Sequence, residues 1–209
     1  MPPSKEVKVS IPALKAAPTI KVNVKKLTVN TTVKQQWSTT RSALDSDWIN
    51  CSKTMKRSDL ASKAAIGETD QTLYFRSAAT SSVSASKIAT LVIPVRAEAP
   101  EAPISVRMVT PASIKKKASA SIVFSSVPSE GYEYCIIKAG VLDESKASWK
   151  TIKTSKTLKF NQSRLPTGSI IYVRTKGVAQ NLNKKIDLKL PSLCYSVTIP
   201  AYPVYDENS

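Results

Sequence analysis

The chain has 209 residues, 42% of them hydrophobic, which is enough apolar material for a packed core and places it outside the disordered class. It carries 31 Lys and Arg against 15 Asp and Glu, a net charge of +16, and it contains no histidine. The missing imidazole removes Ser-His-Asp and Cys-His chemistry, and three scattered cysteines without histidine do not complete a four-ligand structural zinc site.

From the N-terminus, Met1-Pro2-Pro3-Ser4-Lys5 lacks the apolar stretch of a signal peptide, and no later run reaches the roughly 18–20 apolar residues of a membrane-spanning helix. Val7-Lys8-Val9-Ser10-Ile11-Pro12 alternates as a strand does. Period-two and β-branched runs then predict strands over 19–24, 26–29, 33–39, 47–51, 71–79 and 87–93. Asp59 to Ala65 makes at most one short turn. Residues 94–103 are rich in Ala, Glu and Pro and read as a stiff, extended linker, with a boundary near Pro100. Beyond it, strands are predicted over 104–109, 119–127, 132–139, 148–153, 156–160, 169–176 and 193–199. The fold class expected is all-β, because no stretch carries a helical stripe.

The predicted strands fall into two similar series. Runs closed by Ile-Pro occur at Ile11-Pro12, Ile93-Pro94 and Ile199-Pro200, where proline ends ladder pairing. Between them, the order of landmarks repeats. An aromatic strand (Trp37; Tyr134) is followed by Leu-Asp (Leu44-Asp45; Leu142-Asp143) and then by a tryptophan (Trp48; Trp149). A Tyr-x-Arg strand comes next (Tyr74-Phe75-Arg76; Tyr172-Val173-Arg174). The second unit is longer, mainly before Tyr134 and between Arg174 and Ile199. Domains are therefore expected at 13–99 and 100–202, with 203–209 as a tail. Residues 1–12 read either as the closing strand of a preceding repeat or as the first strand of the first unit.

Tyr132-Glu133-Tyr134, Trp149, Tyr172-Val173-Arg174 and Val197-Thr198-Ile199-Pro200 together resemble the tandem immunoglobulin-like or fibronectin-III-like modules of bacterial surface proteins. The first unit departs from that pattern, with Trp37 in place of tyrosine and Phe75 in place of valine. The resemblance spans about residues 19–201. It implies two tandem β-sandwich modules in an extended arrangement, exported to the cell surface or wall as spacers, array formers or adhesion stalks. The partners it implies are other modules of the same array or surface.

Candidate chemistry is sparse. The carboxylates available to two-carboxylate catalysis are Asp45, Asp47, Glu133, Asp143 and Glu144, and the repeated Asp45 and Asp143 read as turn residues. With five glycines and no phosphate-loop pattern, no cofactor is expected; no catalytic, cofactor-binding or metal-ligating residue is assigned. Trp48 and Trp149 read as core residues between two sheets, or as platforms for sugars, and Arg76 and Arg174 as cations able to stack on them. Cys135 and Cys194 read as small buried hydrophobes or as a disulfide, with Cys51 unpaired. The charge excess is even, 15 basic and 7 acidic residues in 1–98 against 16 and 8 in 99–209. It reads as a solvated surface or as a contact for an anionic cell-wall polymer or glycan, and not as a specific nucleic-acid site or a membrane-inserting element. The expected function is that of a non-catalytic structural or interaction module.

Overall fold

The computed structural model describes residues 13–42, 44–56 and 70–205. The described residues form strands and turns without an α-helix, in four antiparallel sheets. The segment 1–12 and the short turn expected at 59–65 lie outside the described residues.

The N-terminal half has seven strands: β1 (Lys21–Asn23), β2 (Thr28–Asn30), β3 (Gln35–Ser38), β4 (Ile49–Asn50), β5 (Thr54–Lys56), β6 (Gln71–Ser77) and β7 (Ala89–Ile93). They form a three-stranded sheet in the order β1-β2-β5 and a four-stranded sheet in the order β4-β3-β6-β7. Alternation dictates the burial. Leu73 and Phe75 of β6 point inward with Leu91 and Ile93 of β7, and Val29 and Met55 meet them from the smaller sheet. Trp37 lies opposite Phe75 and Ile49 in the register and is the tryptophan of this core. Burying a side chain such as Phe75 or Leu73 contributes about 1.5–3 kcal/mol.

The C-terminal half repeats the plan with β8 (Ile104–Val109), β9 (Ser119–Phe124), β10 (Tyr132–Ile137), β11 (Lys150–Ile152), β12 (Lys156–Asn161), β13 (Ile170–Thr175) and β14 (Tyr195–Thr198). Its sheets run β12-β9-β8 and β11-β10-β13-β14. One core takes Ile104, Ile122 and Phe124 from the first and Tyr132, Tyr134, Ile171 and Val173 from the second. Gly131 enters β10 at φ +88°, with Ile152 O 2.6 Å from where a Cβ would stand, so a side chain there collides with the neighbouring backbone.

The expected strands match the observed ones, mostly with ends trimmed by one to three residues. Two departures are local. Strand β5 is too short to show a period, yet it pairs with β2 across Val29 and Met55. The stretch predicted at 119–127 stops at Phe124, because Ser126 turns to φ +52° ahead of Pro128.

The stiff linker expected at 94–103 is not a free spacer. Arg96 within it is buried, and the Ala97 carbonyl accepts a hydrogen bond from Leu193 N at 2.8 Å. The extra length after Arg174 is a hairpin, residues 176–191, closed by the bridges Val178–Lys189 and Asn181–Ile186 around a 3-10 turn at Leu182–Lys184. Its returning arm delivers Leu190, 3% exposed, into the core of the N-terminal half beside Leu27, Val29 and Leu91, with Leu188 packed against the same cluster. The two halves thus share apolar packing that neither repeat unit predicts by itself.

Candidate functional site

The densest polar arrangement of the described residues lies where the halves meet, on the face of β10 and β13 turned away from the C-terminal core. Tyr132 and Tyr134 of β10 face that core, so Glu133 and Cys135 face the other way, and Glu133 sits opposite Arg174 in the register. Arg174 is fully buried. Its Nε and Nη2 donate to Glu133 Oε2 at 3.2 and 2.9 Å, and Nη1 donates to Glu144 Oε2 at 2.6 Å. Nη2 also donates, at 2.5 Å, to the main-chain carbonyl of Lys25, in the turn between β1 and β2 of the other half. The guanidinium carbon lies 3.7 Å over the ring of Trp149, whose Nε1 donates to Glu144 O at 3.1 Å.

A second arginine closes the cluster. Arg96 forks onto Glu144, Nη1 to Oε1 at 2.8 Å and Nη2 to Oε2 at 3.0 Å. It also donates from Nε to Pro191 O at 2.9 Å and from Nη2 to Ser192 O. Two arginines and two glutamates therefore neutralise one another out of water, with hydrogen bonds taking up the directional demand of each planar fork. Burial works to raise the pKa of Glu144, but the hydrogen bonds and charges of Arg96 and Arg174 outweigh it and hold the carboxyl below its ordinary value.

The N-terminal half carries the same motif at its own surface. Arg76 Nε donates to Gln36 Oε1 at 3.0 Å, Nη1 meets Asp45 Oδ1 at 2.8 Å, and the guanidinium lies 4.3 Å over Trp48. The flanking main chain repeats as well. Ser86 Oγ accepts from Ser77 N and donates to Lys87 O, as Ser192 Oγ accepts from Thr175 N and donates to Leu193 O. Lys87 N donates to Lys15 O as Leu193 N donates to Ala97 O.

Several sequence expectations change here. Both arginines stack on their tryptophans as anticipated. Trp48 and Trp149 are buried but not between the sheets. Trp149 is three residues from the inward Ile152, and Trp48 one from the inward Ile49, so parity turns both rings to the opposite face. The core tryptophan is Trp37. Cys135 and Cys194 are free thiols. Cys135 lies in β10 and Cys194 just ahead of β14, and β13 runs between those two strands. Burial raises the Cys135 thiol to about 12 and those of Cys51 and Cys194 to about 11.

Of the carboxylates, Asp143 accepts from Ser145 N and Oγ in a turn, and the Ser145 hydroxyl bond lowers its pKa to about 2. Asp45 and Asp47 stand in the short 3-10 turn Asp45–Asp47. Glu133 and Glu144, forty-one and thirty residues before Arg174, converge on its guanidinium. No group of three His, Cys, Asp or Glu among the described residues is placed to hold a metal ion. No protein-family model matches the chain, and a search of curated proteins returns no match.

Proposed function

We propose that the chain is a pair of tandem immunoglobulin-like or fibronectin-III-like β-sandwich modules that work as a stiff, non-catalytic spacer or assembly unit of a surface repeat protein. The observation that carries this reading is the joint. Leu190 of one half is built into the core of the other, and Arg174 binds the Lys25 carbonyl across the boundary. A spacer that transmits orientation needs such a joint, because domains joined only by a linker reorient by default. The repeated order of strands and the repeated arginine-tryptophan motif support the tandem reading. Small-angle scattering with backbone NMR relaxation tests it. The expected result is one rigid particle with a common tumbling time for both halves. Separate tumbling of residues before and after 100 overturns it.

A second reading, a contact for an anionic polymer, is favoured by the outward face of the sheet β12-β9-β8. One row there places Arg107, Ser121 and Lys159 side by side, and the adjoining rows hold Ser105, Val123 and Thr157, then Val109, Ser119 and Asn161, without a carboxylate. Retention on immobilised polyphosphate, lost in the double substitution Arg107→Glu/Lys159→Glu, supports it. Retention indifferent to those charges or to salt counts against it.

A further inference from the structure

The arginine cluster occurs twice in this chain, covered once by the other half and bordered once by a surface groove. Arg76 reproduces the contacts that Arg174 makes inside its own half: the strand partner opposite (Gln36 for Glu133), the acid after the aromatic strand (Asp45 for Glu144) and the tryptophan beneath (Trp48 for Trp149). Arg174 has one partner more, the main-chain carbonyl of Lys25, delivered by the turn of another half. Among the described residues no carbonyl is delivered to Arg76 in that way. Arg76, 12% exposed, lines a groove with Leu14, Arg41, Ser84 and Lys87, and its ion-pair partner Asp45 is 93% exposed.

A lysine-bearing connection stands at the equivalent place in both halves, 24–27 between β1 and β2 and the longer 110–118 between β8 and β9. Lys25-Lys26 precede a buried Leu27 at the entry to β2, and Lys116-Lys117 precede a buried Ala118 at the entry to β9. The first turn lies over Arg174. The second, residues 110–118, stands out from the C-terminal half with Ile114 77% exposed and Lys115, Lys116 and Lys117 all exposed. One chain therefore holds a groove-lining arginine donor in one half and an exposed lysine turn with main-chain acceptors in the other.

We infer that the Arg76 face is the docking site for a second copy of this chain, which sets the carbonyl of its Lys116 turn on the Arg76 guanidinium as Lys25 is set on Arg174. The inference rests on the tandem-module reading above and adds the partner. One local charge pair favours it, the lysines of the turn against the 93%-exposed Asp45, and Arg41 and Lys87 at the same groove oppose it. The contact joins two different surfaces, so it propagates head to tail. It is also weak. The Ala78–Ala85 segment of the N-terminal half is shorter than the 176–191 hairpin, and no residue in it corresponds to Leu190. A small interface of this kind belongs to the weak, transient class, so association is sought between about 10 µM and about 1 mM.

Sedimentation velocity on the whole chain, across that range, is the test. The wild-type weight-average mass is expected to rise at least about twofold, and the rise is expected to shrink in salt because exposed charges contribute. Two surface variants each block one side: Lys115→Glu/Lys116→Glu/Lys117→Glu on the turn, and Asp45→Lys on the Arg76 face. Each alone is expected to stay monomeric, and mixing the two is expected to restore association, because each keeps the surface that the other lacks. A wild-type chain that is monomeric at about 1 mM overturns the proposal. So does association untouched by both variants, including association abolished only by removing residues 1–12. Scattering on the dilute chain reports separately on the joint. Rigid halves without association remove the docking site alone, and independently tumbling halves remove the reading beneath it.

Discussion

Leu190→Ala tests whether the halves share a core. Leu190 belongs by sequence to the C-terminal half and by packing to the N-terminal one, where it is 3% exposed among Leu27, Val29 and Leu91. Truncation removes three carbons, about 2.4 kcal/mol at roughly 0.8 kcal/mol for each buried methylene, and leaves a cavity that adds to the loss. A total of about 3 kcal/mol falls within the range of buried leucine truncations. The penalty should register in strands distant in sequence. Hydrogen exchange read by mass spectrometry should show amides of β3 and β6 losing protection by roughly a hundredfold, since about 1.4 kcal/mol is a factor of ten. Protection lost only in the C-terminal half would refute the reasoning. A change below about 1 kcal/mol would do the same, since that is the cost expected of a solvent-facing leucine.

Three further outcomes are expected. Arg174→Ala leaves Glu133 buried without its cation and should cost about 3–5 kcal/mol in urea denaturation. The same change at Arg76, whose acid partner Asp45 is 93% exposed, should cost only about 1 kcal/mol because no carboxylate is left buried, and equal losses would show that burial of the partner is not the deciding factor. Because the folded pKa of Glu144 lies below its ordinary value near 4.3, its contribution is complete above about pH 5 and is lost as pH falls through the folded value. Melting curves from pH 7 to pH 3 should show that loss, and Glu144→Gln should flatten it. Gly177→Ala places a Cβ 2.7 Å from Pro191 Cδ and 2.8 Å from Lys189 O, so the hairpin arms must part; a cost of about 1–3 kcal/mol and weaker docking of Leu190 should appear by calorimetry and scattering.

The strands were legible because each buries one face and therefore alternates. The core of each half follows from that pattern, as Leu73 and Phe75 or Ile171 and Val173 illustrate. The repeated Arg and Trp landmarks also pointed to the clusters, and stacking was foreseeable from the residue types. Parity further contained the orientation of Trp149, which is an odd number of residues from Ile152, although a tryptophan in a strand invites a core assignment. What covers an outward face is a different matter. Alternation marks Glu133 and Arg174 as outward, and only the tertiary arrangement brings Arg96 and Lys25 over them. Leu190 was hidden for a similar reason. Its segment, Leu188-Lys189-Leu190-Pro191, is a short apolar run ended by proline, with nothing local to say which half receives it.

Arg174 recognises the Lys25 position through a main-chain oxygen. Every amino acid carries that oxygen, so the identity of residue 25 is free to drift while this contact persists, and its chemical demand falls on the arginine and its glutamates. Leu190 carries the opposite demand, because a side chain of fixed size must fill the space among Leu27, Val29 and Leu91.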